Sequence, residues 1–322
     1  MMRPEPEVML PAYRHGAQTP WGGDGLGRVY GKDIPDERTG ESLEVSVIPG
    51  LNSRLRDGEE LGAWLRRWGT AAAGSDYPDE FPLLLKLIDA RDTLSVQVHP
   101  DDAYARRVEN KLGKTEAWVI LHAEKDSFLV YGTVPGTGKE ALKAASREGK
   151  AVEKLLRRVP VHEGEVYYIP SGTVHAIGAG LTLYEIQQSS DVTYRFYDWD
   201  RTDKNGNKRE LHIDKAVDVT DVGFRADAAV PCVIAPGREM LLDTPFFLLE
   251  RWTDCKAVLE ADTRRFRMLT ALEKTKVSWN EKEETLLPGQ TMFIPAMTPT
   301  LRIETGKMLL GYPAYRQKTS EA

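Results

Sequence analysis

The chain has 322 residues, of which 41% are hydrophobic and 29% charged, with a formal net charge of −6; this is the balance of a globular protein long enough for one large or two moderate domains. No apolar run approaches the ~20 residues of a membrane helix, and the basic residues are spread along the chain, so neither a membrane nor a nucleic acid is expected as partner. Cys232 and Cys255 suggest no disulfide framework, and MMRPEPEVMLPAYRHG at the N-terminus has acidic residues and no long apolar core, so a cytoplasmic location is expected.

The stretch from Thr19 to Ser42 is rich in Gly and Pro and reads as loops and short strands leading into LEVSVI. LGAWLRRWGTAA has helical spacing, with Leu61, Trp64, Leu65 and Trp68 on one stripe, which places both tryptophans in the core. FPLLLKLIDA and TLSVQVHP read as strands joined by a turn at Arg91-Asp92. In the second, Ser95, Gln97 and His99 point to one face and Val96 and Val98 to the other. DDAYARRVEN predicts a short helix capped by Asp101 or Asp102. TEAWVILHA and SFLVYGTV predict strands. Thr137 then appears as the cap of a helix running through GKEALKAASREGKAVEKLLRRVP to Pro160, with its basic end suited to the helix dipole.

From Gly164 onward the pattern is β throughout, with many short strands and regular turns, as in a barrel or jelly roll. The helices fall in the first half, as insertions on a β scaffold. One repeat is visible. GEVYYIPSGTVHAI begins at Gly164 and GQTMFIPAMTPTLRI at Gly289; Met297 and Thr300 of the second stand where the first has Gly172 and His175. The expected division is a catalytic domain over 1–235 and a smaller β module over 236–322 without metal ligands.

Gly164, Pro170, Gly172 and His175 form the pattern G-x5-P-x-G-x2-H. It resembles the second motif of the cupin fold, a small β-barrel whose late His is a metal ligand. The resemblance implies a mainly β fold: a cupin jelly-roll barrel with helical insertions, followed by a degenerate cupin-like module. Gln97 and His99 share an earlier strand face, and KTEAW places Lys114, Glu116 and Trp118 on one face. The candidate ligand set is Gln97, His99, Glu116 and His175. Two imidazoles, a carboxylate and an amide oxygen suit one Zn2+ per chain, with water completing a catalytic-type site.

QVHPDD, KTEAW and GTVHAIGAG, followed by QQSSDVTYRFYDWDR, resemble the metal-dependent, cupin-type mannose-6-phosphate isomerases, with the match running in order from TPWGG and GESLEVS. The short bacterial form is the nearest pattern, since no long helical insertion fits between Glu116 and His175. Leu43 and Ala117 depart from that pattern as packing differences. The resemblance implies the same four metal ligands, Gln97, His99, Glu116 and His175. It also implies a set of active-site residues: Lys86, Lys114, Asp191 and Arg195, the last two sharing a strand face. The expected reaction moves a proton between C1 and C2 of a sugar phosphate through an enediol(ate). Lys114 and Asp191 are expected to handle protons, Arg195 to stabilise the enediolate, and Lys86 to be an electrostatic or phosphate contact. The general base is not identified by the residues alone.

Blander readings apply elsewhere. His15, His122, His162 and His212 have no partner at ligand spacing. Trp118, Tyr194 and Tyr197 read as core or pocket wall. GTVPGTGKE has the wrong spacing for a phosphate loop, with Glu140 where Ser or Thr would bind Mg2+. A non-catalytic metal- or sugar-binding cupin is the alternative function, and an Fe2+ cupin oxygenase a third. The expected oligomeric state is a monomer or weak dimer.

Overall fold

A computed structural model describes residues 3–316 except Lys204 and Cys255. The cysteine expectation therefore lies outside the described residues at Cys255, while Cys232 is an exposed free thiol. The chain forms two units: residues 1–12, 43–85 and 230–322 in one, and 13–42 and 86–229 in the other. No helix among the described residues is long and apolar enough to cross a membrane.

In the first unit, a seven-stranded sheet runs in the order Glu7–Val8, Thr291–Ile294, Arg267–Ala271, Lys307–Pro313, Phe247–Thr253, Arg238–Asp243, Cys232–Ala235. A four-stranded sheet has the order Ala257–Glu260, Thr300–Thr305, Thr275–Trp279, Lys282–Leu286. Strand alternation sends one set of side chains inward: Thr275, Val277 and Trp279 are buried and their neighbours are not. Trp252, Leu269, Met292 and Leu310 of the larger sheet meet Val277, Leu286, Leu301 and Ile303 of the smaller in one apolar core. The expected helical stripe forms the Leu61–Trp68 helix, with Leu61 and Trp64 buried and Trp68 half-buried. Trp64 stands edge-on to Phe293 with ring centroids 5.8 Å apart.

The second unit carries the expected site residues. A six-stranded sheet, most of whose residues belong to this unit, runs Ala12–His15, Thr39–Val45, Leu83–Ala90, Leu181–Gln188, Glu116–Ala123, Val166–Ile169. The unit's five-stranded sheet runs Tyr194–Tyr197, Val96–Val98, His175–Ile177, Phe128–Thr133, Leu156–Pro160. Trp118, Ile120 and Leu183 from the first sheet pack against Leu129, Tyr131 and Ile177 from the second. The outer face of the five-stranded sheet is also covered. Val96, Val98, Val130 and Phe196 pack there against Leu142 of the Lys139–Arg147 helix and Ala216 and Val217 of the Ile213–Val219 helix. Val96 and Val98 therefore bind the sheet to its helical cover, and the opposite face, with Gln97 and His99, looks inward. The molecule is mainly β, with helices laid on the scaffold.

Several local expectations are corrected. The helix after the GTVPGTG loop has Gly138 at its N-cap; Thr137 instead donates its hydroxyl to Val134 O at 2.8 Å. That helix ends at Arg147, not Pro160, because Gly149 takes a left-handed φ of +69°. Of KLLRRVP only Lys154 and Leu155 end a helix, the 3-10 turns over Gly149–Leu155. Leu156–Pro160 is a strand paired with Phe128–Thr133, its burial alternating from the buried Leu156 outward. Short helices at Gly25–Tyr30 and Ile213–Val219 have no counterpart in the sequence reading. Of the two candidate caps, Asp101 is the N-cap of Asp102–Glu109, accepting from Tyr104 N at 2.8 Å.

Candidate metal centre

Strand register assembles the site. His175 pairs with Gln97 on one side of the Val96–Val98 strand, and Arg195 pairs with Gln97 on the other. Three expected site residues thus lie abreast in one row of the five-stranded sheet. Glu116 comes from the other sheet, where Gln187 and Ile169 flank it. The turn that leads from the Val166–Ile169 strand to His175 is tied to the other histidine by Gly172, whose φ of +86° is left-handed and whose N–H donates to His99 O at 2.8 Å. A Cβ there would sit 3.0 Å from Val219 O. Gly172→Ala is expected to cost about 1–2 kcal/mol from the left-handed backbone alone, measured by chemical denaturation, and to weaken metal retention by loosening the turn before His175 and its bond to His99 O.

His99, Glu116 and His175 are buried, and their ligand atoms lie within 4.8 Å of one another. His99 Nδ1 lies 2.9 Å from Val192 O and His175 Nδ1 lies 2.9 Å from Thr173 O. These carbonyls can only accept, so each ring donates from Nδ1 and turns the Nε2 lone pair inward. The two Nε2 atoms lie 3.6 and 3.3 Å from the Glu116 carboxylate oxygens. Gln97 Nε2 is 3.3 Å from His175 Nε2, and a half-turn of the amide would bring Oε1 there instead. Trp118, on the Glu116 strand, stands edge-on to the His175 ring at 5.4 Å, a wall of the site.

The electrostatics are those of a cation site. Burial, then Lys114 and His175, hold His99 well below the ordinary histidine range; burial lowers His175 to about 4. Both imidazoles are therefore neutral at physiological pH, the form in which imidazole can bind a metal. Burial pushes Glu116 up to about 7, against the pull of Lys114 Nζ, 2.6 Å from Oε2. Both Glu116 oxygens are buried and accept no well-oriented hydrogen bond among the described residues. A buried carboxylate with one ammonium beside it, facing two imidazole lone pairs, fits a divalent metal ion.

The remaining expected residues divide. Lys114 is in the site, with Nζ 3.1 Å from His99 Nε2. Arg195 turns toward the same face, its Nε 3.2 Å from Ser95 Oγ, which lies 3.5 Å from Gln97 Oε1. Lys86 is buried beneath the site, 2.9 Å from Glu185 and 3.7 Å from Glu41. Burial lowers its pKa, but Glu185 and Glu41 outweigh that and leave it raised. Asp191 adjoins Val192, whose carbonyl holds His99. It precedes the Tyr194–Tyr197 strand, so no strand alternation aligns it with Arg195, and its carboxylate is 2.6 Å from Lys111 Nζ.

Glu185 is the residue the sequence reading passed over. It accepts from Trp118 Nε1 at 3.0 Å and pairs with Lys86; burial would raise its pKa, yet Lys86 and Lys114 bring it to about 2. Its signal was a lone carboxylate in the apolar run LTLYEI, since a buried charge requires a partner.

Residues 14–114 match the family model for the type I phosphomannose isomerase catalytic domain. The chain is 37% identical over 281 residues to a mannose-6-phosphate isomerase of Streptococcus mutans, covering 85% of this chain and 88% of that protein. It is 43% identical over 225 residues to the mannose-6-phosphate isomerase ManA of Bacillus subtilis, covering 69% and 70%. Among solved structures it resembles the mannose 6-phosphate isomerase from Bacillus subtilis with a TM-score of 0.86 and 31% identity, over 96% of this chain and 99% of that one.

Proposed function

The chain belongs to the type I phosphomannose isomerase family, cupin-fold aldose–ketose isomerases, and from that premise we propose how its residues interconvert mannose 6-phosphate and fructose 6-phosphate through an enediol(ate). Gln97, His99, Glu116 and His175 would hold one Zn2+. The observation that carries this is the convergence of two inward Nε2 atoms on the buried Glu116 carboxylate within 4.8 Å. When bound, the ion would supply a Lewis acid for the sugar carbonyl and the negative charge that develops on its oxygen.

The chain's own groups do the rest. Lys114 Nζ, at the edge of the ligand set, moves a proton at the C1–C2 end of the substrate. The Arg195 guanidinium, in the same row as Gln97 and His175, stabilises the enediolate oxygen. Lys86 keeps its positive charge because two carboxylates favour it, and acts on the site as a fixed electrostatic source. Asp191 contributes by restraining the segment before Lys114: it pairs with Lys111, while Ser190 Oγ donates to Leu112 O at 2.7 Å. All of these residues lie in the unit formed by residues 13–42 and 86–229.

The test is a coupled assay for mannose 6-phosphate turnover, with metal analysis before and after chelation. About one zinc per chain, turnover abolished by chelator and restored by Zn2+, is the expected result. Full turnover in verified metal-free protein would overturn the metal assignment. A zinc-loaded protein inactive on mannose 6-phosphate would overturn the isomerase.

A further inference from the structure

The scheme above leaves the anionic end of the substrate without a partner. Resting on that isomerase reading and deepening it, we propose that Asp198 positions the guanidinium groups of Arg201 and Arg209 beside Arg195 as the subsite for the substrate's phosphate dianion.

Asp198 is only 6% exposed. It accepts from Arg209 Nε at 2.7 Å and from Arg209 Nη2, and from Arg201 Nη2 at 2.5 Å. One carboxylate thus draws together two cations that would otherwise repel. Arg201 Nη1 also donates to Thr93 O at 2.7 Å, which fixes that side chain to the loop just before the Ser95–His99 segment. Arg201 Nε is nevertheless buried with no hydrogen-bond partner among the described residues. A buried guanidinium N–H lacking an acceptor calls for an oxygen.

The cluster adjoins the metal centre. From Gln97, one contact leads to Ser95 Oγ and a second to Arg195 Nε. Arg195 in turn lies within electrostatic reach of Arg209, Asp198 and Arg201; after burial, the charge of Arg209 is the main influence lowering its pKa. A sugar phosphate with C1 and C2 at the ligand set would carry its phosphate away from them, toward this row's outer end.

The charges match. Three guanidiniums against one carboxylate leave two positive charges in surplus, and a phosphomonoester carries about −1.5 to −2 at neutral pH. The Glu210 carboxylate on the same loop is exposed and 3.8 Å from His212 Nε2, where solvent screens it. Guanidinium forks suit phosphate oxygens better than a single ammonium does. Lys86, the other cation expected for this contact, is buried and already held by Glu185 and Glu41.

A purely structural clamp on the 198–210 loop would leave recognition of phosphate untouched, so phosphate recognition is the readout. Arg209→Ala, Arg201→Ala and Asp198→Asn are compared with the parent enzyme, with metal content and melting temperature recorded. KM for mannose 6-phosphate is expected to rise about 10- to 100-fold in each arginine variant, with kcat changed far less. Competitive inhibition by inorganic phosphate should weaken by a similar factor, and Arg209→Lys should recover only part of the loss. Unchanged KM and phosphate inhibition in folded Arg209→Ala and Arg201→Ala, or a loss confined to kcat, would overturn the subsite. If Asp198→Asn does not fold, the arginine variants decide. If the metal-loaded parent fails to turn over mannose 6-phosphate, the isomerase reading falls instead. Calorimetric binding of inorganic phosphate to parent and Arg209→Ala then judges the subsite alone.

Discussion

His99→Ala is expected to lose metal and activity together, with turnover down by about a thousandfold or more, because a metal ion's charge stabilisation is worth several kcal/mol in the transition state. The reason is local. His99 Nε2 is one of two inward imidazole lone pairs, fixed by the Nδ1 bond to Val192 O. Alanine leaves Glu116 facing a single imidazole and Lys114, a set too weak and too positive to retain a divalent cation. The control is the adjacent residue. Val98→Ala removes methyl groups from the cluster that joins the five-stranded sheet to its helices. It is expected to cost about 2 kcal/mol of stability with zinc content and kcat unchanged. Metal analysis, denaturation and the coupled assay on both variants separate the two faces of one strand. Zinc retained in folded His99→Ala would remove His99 from the ligand set.

Lys86→Met is expected to destabilise the protein by about 3–5 kcal/mol, since it strands buried carboxylates without their cation. Glu185, left with Trp118 Nε1 alone, loses the partner 2.9 Å away. The double variant Lys86→Met with Glu185→Gln should regain most of that stability. Glu185 is then neutral, Glu41 keeps Arg14 3.6 Å away, and the amide still accepts from Trp118. Activity should fall in both, because the fixed positive charge beneath the site is gone.

The pair also sets an acid limit. Glu185 is depressed to about 2 in the folded chain, against about 4.3 for a free glutamate. Its contribution is complete above the free value and drains away as pH falls toward 2, because only the unfolded chain takes up the proton readily. The parent should therefore lose stability between about pH 4.5 and 2 by a component that the double variant lacks. Lys86, raised by the same partner, contributes at every pH below the ordinary lysine range. Matching acid-melt slopes for parent and double variant would show that the pair is not ionised in the native state.

Much of the site was legible because its signals are local. Strand alternation placed Gln97 and His99 together, and the glycines of G-x5-P-x-G-x2-H marked turns that the structure builds with left-handed φ at Gly164 and Gly172. The run KLLRRVP misled because basic and leucine residues suit a helix end. The strand conformation of its last five residues comes from pairing with Phe128–Thr133, a partner that propensity does not contain. Asp191 misled for the opposite reason: i, i+4 spacing implies a shared face only inside a strand, and the strand starts later, at Tyr194.

By itself, then, the sequence determined a mainly β chain and the identity of the inward-facing groups, because side-chain alternation and turn chemistry depend on a few neighbouring residues. Tertiary structure alone decided which charges meet. Lys86 is neutralised by Glu185 and Glu41, Asp191 is taken by Lys111, and Arg201 and Arg209 are gathered by Asp198. The first two pairings follow from strand order and register, which bring together groups far apart in the chain; the third follows from the closure of one loop over neighbouring residues. An ionised side chain buried by that packing must take whatever partner the register supplies.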